Sequence, residues 1–129
     1  MKTLTNYTEQ KTTDLFNNLG AFFAFSDRQY KENKKDGVKY CSLGGGLIAP
    51  TEHAKELAEG LLAIGQAGRE QDLAENGKEG IIRRELFNYE CFYIGEIDDC
   101  VEALKQYGIT KKEVLLAFNH ILKTEDIDF

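Results

Sequence analysis

Apolar residues at helical spacing predict a first helix over about residues 8–19, which Gly20 ends. The same spacing from Glu52 onward predicts the longest helix of the chain, which Asn76 and Gly77 interrupt. Each glycine inside a helix lowers its stability by about 1 kcal/mol relative to alanine, so we expect three glycines of this helix to mark either close packing against a neighbour or a fragile second half of the helix. These are Gly60, Gly65 and Gly68.

Further helices are predicted on both sides of the longest one. Ser26 followed by Gln29 has the spacing of a capping box and predicts a short polar helix over residues 27–34. A helical stretch over residues 78–89 and a short helix that begins at Asp98 follow the interruption. Thr110 and Glu113 form a second capping box before the last helix. Its apolar stripe consists of Val114, Phe118, Ile121 and Leu122.

Short apolar runs between these helices predict strands. Residues 21–25 are expected to form a buried strand, residues 38–43 and 47–49 a second and a third, and residues 91–94 another. The predicted fold class is therefore α+β, a helix-rich single domain with a small sheet of two to four short strands. We expect this domain to span residues 1–129, with residues 124–129 as a frayed tail.

Length and composition agree with one globular domain, since 129 residues that are 42% hydrophobic and 29% charged can form a single core. No apolar run approaches the roughly 20 residues that cross a bilayer. We therefore expect a soluble cytoplasmic protein that has no membrane partner.

The net charge of −6 argues against attraction of the whole surface to nucleic acid, but the charge is unevenly distributed. Residues 1–40 carry +2, residues 41–89 carry −3, and residues 90–129 carry −5. Basic side chains are the candidates for contact with a partner or with RNA: Lys31, Lys34, Lys35, Lys39, Arg83 and Arg84. Acidic side chains are the candidates for a protein-facing surface: Glu96, Asp98, Asp99 and Glu102.

Three consecutive glycines, Gly44, Gly45 and Gly46, could bring backbone N–H groups close to a phosphate. A phosphate loop would continue into Gly-Lys-Ser/Thr, whereas Leu47-Ile48-Ala49-Pro50 follows here. A hairpin or bulge is therefore the favoured interpretation, and a ligand loop is kept as the alternative.

Aromatic residues Phe22, Phe23 and Phe25 could stack on bases, as aromatic residues of nucleic-acid-binding sheets do. A contiguous run of this kind is more often part of a hydrophobic core, and we expect that role here.

No residues have the spacing of a catalytic or metal site. Cys41, Cys91 and Cys100 lack CxxC spacing and are expected to be buried free thiols. His53 and His120 have no second ligand near them in the sequence. We therefore predict no catalytic residue, no metal and no cofactor.

Three segments carry a resemblance to a family of small proteins from phages and mobile elements: residues 22–26 (FFAFS), 39–48 (KYCSLGGGLI) and 93–104 (YIGEIDDCVEAL). The resemblance covers residues 20–120 and implies no catalytic residues. It implies a genomic setting in which compact acidic accessory proteins bind and disable a host defence machine, as anti-CRISPR proteins do.

The expected function is thus a non-enzymatic phage or prophage protein that inhibits a host defence system by binding it. The expected partner is a CRISPR effector nuclease or its guide RNA complex, with local contact to RNA. The alternative is a small-ligand protein that binds a nucleotide signal with the Gly44–Gly46 loop and neighbouring aromatic residues. A hydrolase that works through Asp98, Asp99 and a metal is the least favoured option.

Overall fold

A computed structural model describes residues 1–125 and has a helix-rich α+β fold with a three-stranded antiparallel sheet. The elements in chain order are α1 (Leu4–Leu19), β1 (Phe22–Phe23), α2 (Asp27–Asn33), β2 (Tyr40–Ser42), β3 (Leu47–Pro50), a 3₁₀ turn (Thr51–His53), α3 (Ala54–Asn88), α4 (Cys91–Ile94), α5 (Asp98–Leu104), a second 3₁₀ turn (Lys105–Tyr107) and α6 (Lys111–Thr124). This confirms the predicted helix-rich α+β class with a small sheet of two to four short strands. Of the predicted frayed tail, residues 126–129 lie outside the described residues.

Contacts between Cα atoms divide the chain into two compact units. The sheet unit comprises Lys2–Gly68, and the helical unit comprises Met1 and the chain from Arg69 onward. The single domain over residues 1–129 therefore stays a prediction. Within residues 1–125, no helix is both long enough and apolar enough to span a bilayer.

In the sheet unit the strand order is β1-β3-β2, so β3 is the central strand. Phe22 pairs with Ile48, and Cys41 pairs with Ala49. Because β2 and β3 are antiparallel neighbours joined by residues 43–46, the three glycines lie in a hairpin loop, which confirms the favoured interpretation of this segment.

One face of the sheet packs on the helices of the sheet unit. Its buried residues are Leu19, Leu47, Ala49 and Leu57. A Cβ on Gly60 would lie 2.8 Å from Leu15 Cδ2, and a Cβ on Gly68 would lie 2.5 Å from Thr8 Cγ2. These two glycines therefore let α1 approach α3 closely, which agrees with the close packing expected as one alternative for them.

The opposite face of the sheet is covered by α2. Phe22, Tyr30 and Tyr40 form a cluster in which each ring contacts the other two, with centroids 5.5 to 6.3 Å apart. Ser26 caps α2 by accepting from the Gln29 N–H at 3.2 Å, as its capping-box spacing predicted. These contacts fix the segment that connects β1 to β2.

The helical unit has its own core. The buried residues are Ile81, Ile82, Leu86, Cys91, Phe92, Ile97, Cys100, Leu104, Ile109, Val114 and Ile121. At Gly77 the backbone of α3 leaves the helical conformation, with φ 71° and ψ 162°, where the sequence predicted an interruption.

The start of the first helix and the type of the element at residues 91–94 differ from the sequence prediction. The first helix begins at Leu4 rather than at about residue 8, because the Asn6 side chain accepts from the Thr3 N–H at 2.9 Å and caps an earlier start. The strand predicted over residues 91–94 is a helical turn, α4, between two residues with left-handed φ, Glu90 at 54° and Gly95 at 77°. Its two buried residues are adjacent, whereas a strand would alternate.

Candidate functional site

Two phenylalanine rings form an exposed aromatic surface on the sheet unit. Phe25 is 73% exposed and Phe23 is 50% exposed. Their rings are nearly parallel, with an interplanar angle of 5° and centroids 6.0 Å apart. The expectation that these residues are core is therefore wrong for both, and Phe22 alone of the three is half-buried. We call Phe23, Phe25 and the adjoining Gly46 the aromatic platform.

Gly46 is the residue that lets Phe25 occupy this position. A Cβ on Gly46 would lie 2.3 Å from Phe25 Cε1, well inside van der Waals contact. Gly46 also has φ 83°, a left-handed value that glycine adopts without strain. The Ala24 N–H donates to the Gly46 carbonyl at 2.8 Å and holds the two segments together.

Further contacts fix the two rings. The Phe25 N–H donates to Gln29 Oε1 at 2.7 Å, which joins the platform to the first turn of α2. The ring of Phe23 contacts that of Phe16 on α1, with centroids 5.6 Å apart. Because β1 is an edge strand and ends at Phe23, the chain leaves the sheet before Phe25 and the second ring projects beyond the core.

The glycine loop is open to solvent next to the platform. A Cβ on Gly44 or Gly45 would meet no atom within 4 Å, so no wall encloses a small ligand on that side. Within residues 1–125, the N–H groups of Gly45 and Gly46 donate to no protein acceptor. They are therefore available as donors to a group that lies against the loop.

Four lysines lie on α2 and the loop that follows it: Lys31, Lys34, Lys35 and Lys39. All four are exposed, and none forms an ion pair within residues 1–125. The Lys35 N–H donates to the Tyr40 hydroxyl at 2.9 Å, which fixes the loop between α2 and β2. The nearby Arg28 is paired with Glu32 at 2.9 Å. Among the described residues, the four lysines are thus the unpaired basic side chains of this segment, and Asp27 and Asp36 are its unpaired acidic ones.

Arg83 and Arg84 belong instead to the helical unit, where both are engaged. Arg84 is almost buried and donates to both carboxylate oxygens of Asp72 at 2.9 Å, and its Nε donates to Glu85 at 2.9 Å. Arg83 makes a two-point ion pair with Glu125, and its guanidinium lies over the Phe87 ring, 5.1 Å from the centroid. We therefore leave both arginines out of the candidate contact surface.

Asp72 is the fully buried centre of a polar cluster. It accepts from Arg84, from the Tyr107 hydroxyl at 2.6 Å and from Asn76 Nδ2 at 2.7 Å. Burial raises the pKa of Asp72, but these hydrogen bonds and the Arg84 charge outweigh it and lower the pKa below its usual value. The carboxylate is thus held ionised and fully hydrogen-bonded, which indicates a structural role.

A groove of about 700 Å³ lies between the second half of α3 and α6, within the helical unit. Its apolar lining consists of Ile82, Leu116, Ala117 and Ile121. Ion pairs Lys78–Glu113, at 3.0 Å, and Arg83–Glu125 join the two helices beside it. These pairs neutralise four of the charged groups that line the groove.

The four acidic candidates lie at the start of α5 and just before it. Glu96, Asp98 and Asp99 are exposed, and Glu102 is paired with Lys105 at 2.7 Å. Within residues 1–125, no group of three or more His, Cys, Asp or Glu side chains could hold a metal ion. The four residues therefore share one segment of the helical unit without forming a ligand set.

The cysteines are free thiols, of which Cys91 and Cys100 are buried as predicted and Cys41 is half-buried. Burial raises the pKa of Cys91 and raises that of Cys100 to about 12, so both stay protonated at neutral pH. His53 contacts Glu52 and Glu56 at 3.5 and 3.6 Å, and His120 lies beside the groove.

The small-ligand alternative combined the glycine loop with neighbouring aromatic residues, but the sequence alone did not indicate the contact between Phe25 and Gly46. Phe25 and Gly46 are more than twenty positions apart, and the register of β1 on β3 brings them together. The available signal was Ser26, which caps α2 and therefore ends the extended segment directly after Phe25.

Comparison with known proteins gives a family but no function. No curated protein matches the chain, and no solved structure matches it. A family of unknown function, DUF7659, matches residues 4–124, which is nearly the whole chain. The chain therefore belongs to this family of unknown function.

Proposed function

We propose that this protein is a non-enzymatic phage or prophage accessory protein that inhibits a host defence system by binding it through the aromatic platform. The observation that carries the proposal is the exposure of Phe25 at 73%, with its ring parallel to that of Phe23. Exposed aromatic rings fixed by their neighbours lose little conformational freedom on binding, and such residues are enriched in interfaces.

The phage or prophage origin in this proposal is supported by the resemblance to phage proteins over residues 20–120. That resemblance carries no catalytic residues, so the mechanism is stoichiometric occlusion or trapping of a partner. The partner is an RNA-guided nuclease or its complex with guide RNA. The acidic residues before and within α5 remain a second candidate contact for such a partner.

The test is a plasmid-interference assay in bacteria that carry a defined CRISPR effector, repeated over a panel of effector types. The wild-type protein should protect the target plasmid from one type and co-purify with that effector. Phe25→Ala should lose both properties, because it removes the outer ring of the platform. Leu62→Ala is the matched control, since Leu62 is 75% exposed on α3 in the same unit.

Leu62→Ala should protect the plasmid as well as the wild type does. If the wild-type protein neither protects the plasmid nor co-purifies with any effector of the panel, the proposed function is wrong. If Phe25→Ala protects fully, the platform is the wrong site.

The small-ligand alternative stays a prediction with its own test. The free N–H groups of Gly45 and Gly46 favour it, whereas the open side of the loop does not. A nucleotide signal present at 100 times its Kd would stabilise the protein by about 2.7 kcal/mol. A thermal-shift screen with cyclic dinucleotides would detect a stabilisation of that size.

A further inference from the structure

We propose that the aromatic platform binds single-stranded nucleic acid, with bases stacked on Phe23 and Phe25 and phosphates at the four lysines of the α2 segment. This inference rests on the proposed function, because it gives the chemistry of the partner that the same surface meets. RNA and DNA share that chemistry, and the experiment below distinguishes them.

The platform has the form that base stacking requires. A base stacks on the face of an aromatic ring, and every base has such a face, so the contact needs no particular sequence. The Phe25 ring is mostly exposed, and Gly46 contacts one part of it. The Phe23 and Phe25 rings are already stacked, parallel to within 5°, so a base can continue this stack on the exposed part of the Phe25 ring.

The lysines lie within reach of a strand that stacks on the platform. Phe25 directly precedes α2, and its N–H is bonded to Gln29 on the first turn. At 1.5 Å per residue, Lys31 is on the order of 10 Å along the chain from Phe25. A strand of a few nucleotides that begins at the platform is therefore long enough to reach exposed lysines that form no ion pair within residues 1–125.

Charge favours a nucleic-acid strand over a protein as the occupant. Lysine is depleted in protein interfaces, whereas lysines beside exposed aromatic rings are the usual combination of single-strand binding surfaces. The open loop adds two donors, the N–H groups of Gly45 and Gly46, which can bond to phosphate or base oxygens.

The experiment measures fluorescence anisotropy of labelled oligouridylate and oligothymidylate, each of about twelve nucleotides, with the full-length protein at about 50 mM salt. We expect saturable binding of at least one oligonucleotide. Phe25→Ala should weaken this binding by about ten-fold or more, because base–aromatic stacking is lost. Circular dichroism should report an unchanged fold for this variant.

A pair of double variants tests the lysines. Lys34→Gln with Lys35→Gln should weaken binding, whereas Lys111→Gln with Lys112→Gln, which removes the same charge from exposed positions on α6, should not. Tighter binding of oligouridylate would identify RNA as the ligand, and tighter binding of oligothymidylate would identify DNA.

The inference is wrong if neither oligonucleotide binds, or if binding survives Phe25→Ala and the Lys34/Lys35 double variant unchanged. Plasmid protection that depends on Phe25 without oligonucleotide binding would mean that the platform binds a protein surface. In that case the proposed function stands and the nucleic-acid inference fails.

Discussion

At the scale of single residues, the platform depends on Gly46 as much as on the two rings. The Phe25 ring lies where a side chain on residue 46 would be, and the left-handed φ of Gly46 disfavours any other residue there. The neighbouring Gly45 has a similar conformation, with φ 61°, but no atom lies within 4 Å of its missing side chain. Substitution of Gly45 would therefore introduce backbone strain alone, whereas substitution of Gly46 would introduce that strain and also a clash with the Phe25 ring.

Replacing these glycines gives the first prediction. Gly46→Ala and Gly45→Ala should both lose about 1–2 kcal/mol of unfolding free energy, because alanine disfavours left-handed φ. Gly46→Ala should lose more, since its methyl group displaces Phe25, and it alone should weaken partner binding. Urea unfolding and the anisotropy assay measure the two effects. Equal behaviour of the two variants in both assays would contradict the assigned contact.

The sequence near Phe25 predicted the helix cap at Ser26 but not the exposure of the Phe25 ring. The caps at Ser26 and Thr110 were predictable, because each depends on a side chain three positions from its partner. Whether Phe23 and Phe25 are core depends on which strand lies at the edge of the sheet. That is decided by pairing between distant segments and cannot be read from a short apolar run.

At the scale of elements, α3 is held across its interruption by a buried ion pair. Asp72 precedes Gly77, Arg84 follows it, and the two side chains are joined by two hydrogen bonds of 2.9 Å. Tyr107 and Asn76 complete the hydrogen bonding of the Asp72 carboxylate. The attraction within a buried ion pair roughly offsets the cost of removing both charges from water. Removal of one partner is destabilising, because it leaves the other charge buried and uncompensated.

Asp72→Asn should therefore lower the free energy of unfolding by about 3 kcal/mol. Asp98→Asn is the matched control, because Asp98 is exposed in the first turn of α5 and its loss should cost less than about 1 kcal/mol. Urea unfolding of both variants measures the difference. Equal stability of the two variants would show that the Asp72–Arg84 pair contributes nothing.

The same carboxylate predicts a pH dependence. Because the pKa of Asp72 is lower in the folded than in the unfolded chain, its contribution to stability is present above about pH 4 and is lost as the pH falls through the folded pKa. The wild type should lose more unfolding free energy between pH 7 and about pH 3 than Asp72→Asn does. Identical losses in urea unfolding would contradict this assignment.

The predictable and unpredictable elements differ in length. The long helices were predicted because their apolar stripes repeat over several turns, and the interruption at Gly77 fell where Asn-Gly stands in the sequence. The four residues of α4 are too few to have a period, and an apolar run of that length fits a strand equally well.

At the scale of the whole molecule, the charge separates between the two units. Residues 2–68 contain eight basic and eight acidic side chains, whereas residues 69–129 contain eight basic and fourteen acidic ones. The net charge of −6 therefore belongs to the second part of the chain, and the part with the aromatic platform is neutral. A part of the chain that has no net charge and whose α2-segment lysines form no ion pair within residues 1–125 can bind a phosphate backbone locally.

Salt dependence follows from this arrangement. Each phosphate that a lysine neutralises on a single strand contributes about −0.7 to the slope of log K against log salt. Removing Lys34 and Lys35 together should make the slope shallower by up to about 1.4. Lys111→Gln with Lys112→Gln should leave the slope unchanged. A slope that is near zero for the wild type would contradict a phosphate contact.

The candidate site was predictable only in part, because the pairing of its charged residues depends on partners far away in the sequence. The lysines of the α2 segment were recognisable as a local basic cluster. The exclusion of Arg83 and Arg84 was not predictable, because Asp72 and Glu125 lie 12 and 42 positions away from their partners. Exposure and partnership of a charged residue are properties of the folded chain.

The central claim is that the partner lies against the platform, and the absence of tryptophan from the chain permits a direct test. Phe25→Trp places a single tryptophan on the platform, and Leu62→Trp places one at an exposed position of α3. On titration with the bound oligonucleotide, emission of the Phe25→Trp protein should be quenched with the Kd measured by anisotropy, while emission of the Leu62→Trp protein stays constant. Unchanged emission from residue 25 while anisotropy reports binding would contradict the account.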